Sequence, residues 1–230
     1  PYTILYGVEY GNDDSLRVWL LDVTNGGSES ELILTEYVGN SGSTYDGSAY
    51  DTETGNFFFV DYNTNELYVN NLNDEGASES AGTLSGDTES ADFYDGSYYY
   101  VDVTDNTIHE VTFDGSMQIQ SDVVISTIPS TVTVTDIAMS PDGTYMYMVG
   151  NVGDGSTEMI TWDVVADTYA TIDLTVAEDT QIAYGSDDVL YAIEPGTGTS
   201  STYILDTDTG TVIEINDDDV IIIDDPFSDI

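Results

Sequence analysis

The sequence predicts an all-β fold, a five-bladed β-propeller of four-stranded antiparallel blades. Three observations carry that expectation. Thr, Val, Ile, Tyr, Ser, Gly and Asp dominate, while strong helix formers are scarce: there is no Lys, one Arg and little Gln. Short alternating apolar runs are separated by Asp-Gly, Asn-Gly and Thr-Gly turns. An aromatic-rich run also recurs five times, and aligning Tyr6, Phe59, Tyr100, Tyr147 and Tyr191 gives spacings of 53, 41, 47 and 44 residues. A period of ~40–50 residues in an all-β chain is that of propeller blades.

Each unit reads as four strands. The first precedes a turn: Ala49 to Gly55, Asp92 to Gly96, and Asp136 to Gly143. The second is the aromatic run, as in Phe57-Phe58-Phe59-Val60, Tyr98-Tyr99-Tyr100-Val101 and Tyr145-Met146-Tyr147-Met148-Val149. The third ends near an Asp, as in Trp19-Leu20-Leu21-Asp22, Ile160-Thr161-Trp162-Asp163 and Tyr203-Ile204-Leu205-Asp206. The fourth closes the unit, as in Glu31-Leu32-Ile33-Leu34, Tyr169-Ala170-Thr171-Ile172 and Thr211 to Ile215, and it is weakest in the second unit, around Thr83-Leu84.

The first unit begins directly at its second strand. Phe227-Ser228-Asp229-Ile230, after Pro226, reads as the entry to a first strand, and Asp219 to Ile223 parallels Asp122-Val123-Val124-Ile125-Ser126. Two expectations follow. The C-terminal strand joins the first unit and closes the ring, since unpaired strand edges are a liability. Alternatively, residues 1–230, a single propeller domain, are a window on a longer chain; starting at Pro1, with no initiator Met or charged leader, fits a missing upstream segment.

Ser140-Pro141-Asp142-Gly143 followed by the Tyr-Met-Tyr-Met-Val run resembles the first hairpin of propellers of the YVTN/WD40-like superfamily. Leu190-Tyr191-Ala192-Ile193 with Thr207-Asp208-Thr209-Gly210 is similar to their repeat, and Trp162-Asp163 coincides with the WD dipeptide. The Gly-His pair of that superfamily is missing from every unit. The resemblance implies the propeller fold over nearly the whole chain.

The charge narrows the function. Of 230 residues 45 are acidic, and Arg17 is the only Lys or Arg, for a net charge of −44. Asp outnumbers Glu 31 to 14. Nucleic acid is excluded as a partner, because phosphate contacts need Lys and Arg. Anionic lipids are excluded for the same reason, and no apolar run reaches the ~18 residues of a membrane span. With no Cys there is no disulfide, thiol catalysis or thiolate metal site. Neutral or cationic partners remain: protein surfaces, glycans and cations.

Forty-five carboxylates place some pairs at glycosidase spacing by chance. Asp51, Asp92 and Asp136, with Asp61 or Asp102, are the candidates at one end of the tunnel. Such chemistry normally enlists Arg or His as well, and the chain has one of each. His109, in Thr107-Ile108-His109-Glu110-Val111, reads as a blade-packing residue rather than a catalytic base. Arg17 reads as a strand-face cation among carboxylates. No cofactor is required.

Calcium is the best-matched metal, because it takes six to eight hard oxygen ligands. Asp206 and Asp208 in Asp206-Thr207-Asp208-Thr209-Gly210 are the candidate ligands. The other dense loops are Asn12-Asp13-Asp14, Asp102 to Asn106 and Asp217-Asp218-Asp219. None completes an EF-hand, and such a segment also serves as a hairpin turn whose Asp bonds the local backbone. In Tyr98-Tyr99-Tyr100, Tyr99 faces away from its neighbours; such rings pack between blades or stack on sugars.

The leading expectation is therefore a non-enzymatic structural or interaction propeller, extracellular or on a cell or virion surface, in saline surroundings and within a larger assembly. A lectin-like glycan-binding propeller, calcium-assisted, is the alternative, and a glycoside-acting enzyme is the third. At physiological salt the Debye length is ~8 Å and at molar salt ~3 Å. The melting temperature should therefore rise strongly between about 0.05 and about 2 M NaCl, or with CaCl2. A melt insensitive to salt across that range would refute the self-repulsion argument.

Overall fold

The computed structural model describes residues 4–10, 16–22, 29–36, 44–73, 77–129, 132–152, 156–177, 179–194, 201–214 and 227–229. Every regular element among them is a strand. Four sheets are antiparallel meanders of four consecutive strands. One runs through β4 (Tyr45–Asp51), β5 (Asn56–Asp61), β6 (Glu66–Asn71) and β7 (Glu79–Thr83). The next runs through β8 (Thr88–Tyr94), β9 (Ser97–Asp102), β10 (Thr107–Phe113) and β11 (Ile119–Thr127). Then come β12 (Thr133–Met139), β13 (Tyr145–Asn151), β14 (Thr157–Asp163) and β15 (Thr168–Leu174). The last comprises β16 (Gln181–Tyr184), β17 (Leu190–Glu194), β18 (Ser201–Leu205) and β19 (Val212–Glu214). Ahead of them, β1 (Ile4–Tyr10), β2 (Leu16–Asp22) and β3 (Glu29–Glu36) form a meander of three. β20 (Phe227–Asp229) pairs antiparallel with the free edge of β1, Phe227 opposite Glu9 and Asp229 opposite Val8.

The sheets are the blades of a β-propeller. Their first strands stand side by side, β4 against β8, β8 against β12 and β12 against β16, and β20 lies against β4. The second strands explain the aromatic runs. A strand inside a blade is covered on both faces by neighbouring blades, so its residues are apolar without alternation. β5 is buried from Phe57 to Asp61, and β13 from Met146 to Gly150. The outermost strands have one neighbour fewer, so β11 and β15 carry mostly half-buried and exposed residues.

The core is divided between blade interfaces. Phe58 stacks on Phe93 at 4.9 Å and on Phe113 at 5.3 Å, joining the β4–β7 and β8–β11 blades. Tyr98 and Tyr100 are wholly buried in the same interface, and the Tyr98 hydroxyl donates to the Gly47 carbonyl at 2.6 Å. Tyr99 points the other way, as the alternation requires, and donates to Glu110. Val101 and Ile108 meet Ile137, Met148 and Trp162 at the following interface. Tyr147 and Met159 meet Ile182 and Leu190 at the one after. Leu16 and Val18 of β2 pack with Tyr45, Phe57 and Phe59, and Leu5 of β1 packs with Tyr191 and Ile193 of β17.

One turn design recurs. Asp61 and Asp102 open the loop between the second and third strands of their blades, Asp163 and Asp206 the loop between the third and fourth strands of theirs, and Asp51 the β4–β5 loop. In each, the Asp Oδ1 accepts the backbone N–H two residues on. The fifth residue takes a left-handed conformation: Asn65 at φ 53°, Asn106 at 53°, Asp167 at 51°, Gly210 at 66° and Gly55 at 80°. Asn, Asp and Gly are the residues that tolerate this region, so the repeat of Asp followed four residues later by Asn, Asp or Gly has a mechanical cause.

Candidate functional site

The first strands of the blades run towards one end of the propeller and turn there into the second strands. These turns frame a cavity of about 950 Å³. Three of the strands end in a half-buried tyrosine at its mouth: Tyr50 on β4, Tyr94 on β8 and Tyr184 on β16. The fourth, β12, brings Met139 and then Pro141. Its lining is mixed: the buried Leu5, Phe57, Ala138 and Ile182 lie behind it, and Ser48, Thr52 and Thr54 are among its polar residues. The Tyr94 ring lies over Gly143, where φ is 68° and a Cβ would sit 2.4 Å from the ring. Only glycine serves there, so the β12–β13 turn fixes the ring. Tyr184 stacks at a tilt on Tyr147, 6.2 Å between centroids, and its hydroxyl pKa is raised by burial first, then by Tyr147, Asp142 and Asp188.

Carboxylates surround this cavity in two ways. Glu53, Asp95 and Asp188 are exposed on the turns. Asp51 and Asp92 line it while bonded to the fold. Asp51 caps its own turn through the Glu53 N–H at 2.9 Å and the Thr54 hydroxyl. Asp92 accepts the Phe93 N–H at 2.7 Å and, across the blade boundary, the Met139 N–H at 2.6 Å. Asp92 is half-buried on the cavity wall, and desolvation there pushes its pKa up to about 6 against the two N–H bonds that lower it. Near the other end of β4, Asp46 is also raised to about 6, by burial first and by Glu89 second.

The expectation that Asp136, Asp61 and Asp102 share a tunnel mouth with Asp51 and Asp92 is corrected. Asp136 is fully buried between blades. It accepts the Ile137 N–H at 2.8 Å and the Ile182 N–H of the next blade at 2.5 Å, so it is a latch. Asp61 and Asp102 cap turns of the recurring design and do not line the cavity.

His109 is buried, as a packing residue should be, and its surroundings are polar. Its ring stacks on Tyr100 at 4.5 Å, Nδ1 lies 2.8 Å from Asp122 Oδ1, and Nε2 lies 3.1 Å from the Thr107 hydroxyl. Asp122 also accepts the Ser85 N–H at 2.7 Å, and the Gly86 N–H donates to the Tyr100 hydroxyl. Ser85 and Gly86 belong to the crossover from β7 to β8, so the cluster pins one blade's entry to that blade's own strands. A matching tie holds the next boundary, where Asp167 accepts from the Ser126 hydroxyl and from Trp162 Nε1.

Asp206 and Asp208 sit exposed in a turn of the recurring kind. Asp206 Oδ1 accepts the Asp208 N–H at 3.0 Å and the Thr209 N–H at 2.9 Å, bonds that lower its pKa. The segment Asp102 to Asn106 is the same kind of turn, with Asp102 Oδ1 accepting the Thr104 and Asp105 N–H groups. Asn12-Asp13-Asp14 and Asp217-Asp218-Asp219 lie outside the described residues. Among the described residues, no three His, Asp or Glu side chains gather as a metal cluster. The tyrosines of the mouth escaped the sequence reading, although an apolar residue, a Tyr and then a turn recurs in Ala49-Tyr50-Asp51, Phe93-Tyr94-Asp95 and Ala183-Tyr184-Gly185.

A carboxyl whose pKa is higher folded than unfolded binds its proton more tightly in the native state. Its contribution is present in full below the ordinary value of 3.8 and is lost as pH rises through about 6. Denaturant stability should therefore increase on acidification from about pH 7.5 to about pH 4.5, with Asp92 supplying about 2 kcal/mol after allowance for cavity solvent. Below that window the lowered carboxyls Asp122, Asp142, Asp167 and Asp206 reverse the trend. Asp92→Asn should flatten the rise, and an unchanged pH slope in that variant would count against the assignment.

No protein-family model and no curated protein sequence matches the chain. Several solved structures are similar to it. A crystal structure of a nidogen/laminin complex aligns with a TM-score of 0.61 and 12% identity, over 93% of this chain and 89% of that one. TolB from Acinetobacter baumannii aligns with a TM-score of 0.63 and 15% identity, over 94% of this chain and 52% of that one. A catalytically inactive virginiamycin B lyase from Staphylococcus aureus, solved with quinupristin, aligns with a TM-score of 0.54 and 15% identity, over 94% of this chain and 70% of that one. At such identities the likeness concerns the fold alone, and that fold is the β-propeller.

Proposed function

We propose that residues 1–230 form one five-bladed propeller domain, of the YVTN/WD40-like kind, closed by β20. The domain serves as a non-enzymatic interaction scaffold outside the cell, on a cell or virion surface, in saline surroundings and within a larger assembly. Closure is supported by the β20–β1 pairing, by the position of β20 against β4, and by the packing of Leu5 on Tyr191 and Ile193. The family label is supported by the Ser140 to Val149 hairpin.

One observation carries the scaffold reading: the carboxylates repeat as backbone acceptors in the turns and boundaries of blade after blade. Asp51 and Asp92, the two bonded acids of the cavity, are committed to holding the fold. The nidogen/laminin neighbour is a propeller within a protein complex, and it favours protein surfaces as partners. The lyase neighbour keeps the enzymatic alternative alive. The tyrosines at the mouth favour the lectin-like alternative, since their faces stack on sugar rings. Cations, calcium included, would screen the acidic turns, Asp206 and Asp208 among them.

Two experiments test this. Deleting residues 227–230 should lower the melting temperature sharply, and an unchanged melt would exclude closure by β20. The chain should give no turnover on a panel of glycosides or on quinupristin. Turnover that is lost in Asp51→Asn or Asp92→Asn would replace the scaffold reading with the enzymatic one. Saturable binding on a glycan array would promote the lectin reading.

A further inference from the structure

We infer that the cavity framed by Tyr50, Tyr94 and Tyr184 binds an organic cation, an ammonium group carried on an apolar body. The inference goes beyond the scaffold reading and does not depend on it. It starts from the cavity itself, whose volume of about 950 Å³ accommodates a small organic molecule. Pro141, exposed, and Ala183, half-buried, line it beside the tyrosines and offer apolar contact, which a hydrated metal ion cannot use. Each tyrosine arrives at the end of a first strand, so blade geometry sets the rings at the mouth. A ring face attracts a cation through its quadrupole, most strongly where water is excluded.

The charge supplies the sign. Glu53, Asp95 and Asp188 stand exposed on three of the turns around the mouth, and Asp92 lies within. Neither of the chain's two cationic-capable side chains, Arg17 and His109, lines the cavity. A concave, low-dielectric wall of one charge sign focuses the field and concentrates counter-ions inside it. Acids alone would attract any cation at any point of this surface. The aromatic and apolar lining selects an organic one and locates it here.

The test uses the whole chain, choline, and 3,3-dimethylbutan-1-ol, the uncharged carbon isostere of choline. Titration at physiological salt, followed by NMR of the tyrosine ring resonances, should give saturable binding of choline, at least about tenfold tighter than that of the isostere. Asp95 and Asp188 have positive φ, 48° and 61°, which Asn tolerates, so the double variant Asp95→Asn/Asp188→Asn removes two charges without straining the turns. It should weaken choline binding by about fivefold or more. A charge-matched control, Glu79→Gln/Asp173→Asn, alters exposed positions on the outer strands β7 and β15 and should leave binding within about twofold. Absence of saturable binding, equal binding of the two ligands, or equal weakening by the two double variants would each overturn the inference. The last outcome would mean diffuse adsorption to an acidic surface.

Discussion

The hydrogen bond from a backbone N–H to an aspartate carboxylate holds this molecule together. A chain with 45 acids and one Lys or Arg cannot neutralise its carboxylates with side chains. Its donors are the main chain and neutral side chains such as Ser, Thr and Tyr, and turns leave main-chain N–H groups without strand partners. Aspartate reaches the N–H two residues on, because only one carbon, Cβ, separates its carboxylate from Cα. Glutamate overshoots, and the excess of Asp over Glu, 31 to 14, follows this geometry. Each bond is charge-assisted and stronger than a neutral one.

The same bond works at longer range between blades. Asp92 and Asp136 each take one N–H from their own strand and one from the first strand of the next blade. They secure the tunnel wall where neighbouring blades share no sheet ladder. Their burial has a cost, visible in the raised pKa of Asp92. His109 and Asp122 extend the scheme into a buried network with Tyr100 and the Ser85–Gly86 crossover. Such a network is stabilising only while every member keeps its partner, so it specifies one placement of the crossover.

Function is bound up with this economy. Acids spent on turns and latches stay fixed, leaving Glu53, Asp95 and Asp188 exposed at the cavity mouth. Their field acts on whatever enters between the tyrosines.

Blade spacing, the second strands and the Asp-opened turns were legible in the residues alone, because each depends on neighbours a few positions apart. Phe57 to Val60 and Tyr145 to Val149 are apolar without alternation, and that marks strands covered on both faces. The residues around Asp102 and Asp206 state a turn through the left-handed Asn106 and Gly210. Tertiary structure alone decided which acids meet. Asp51 and Asp92 line the cavity while Asp136 is sealed between blades, and nothing in the local pattern of Asp136-Ile137-Ala138 separates it from Asp92-Phe93-Tyr94. The partners of His109 also lie at distances that no local period encodes, Ser85 on a crossover and Asp122 on β11. Local periodicity dictates which face a side chain takes. The stagger of one blade against the next dictates what that face meets, and that stagger is a property of the assembled propeller.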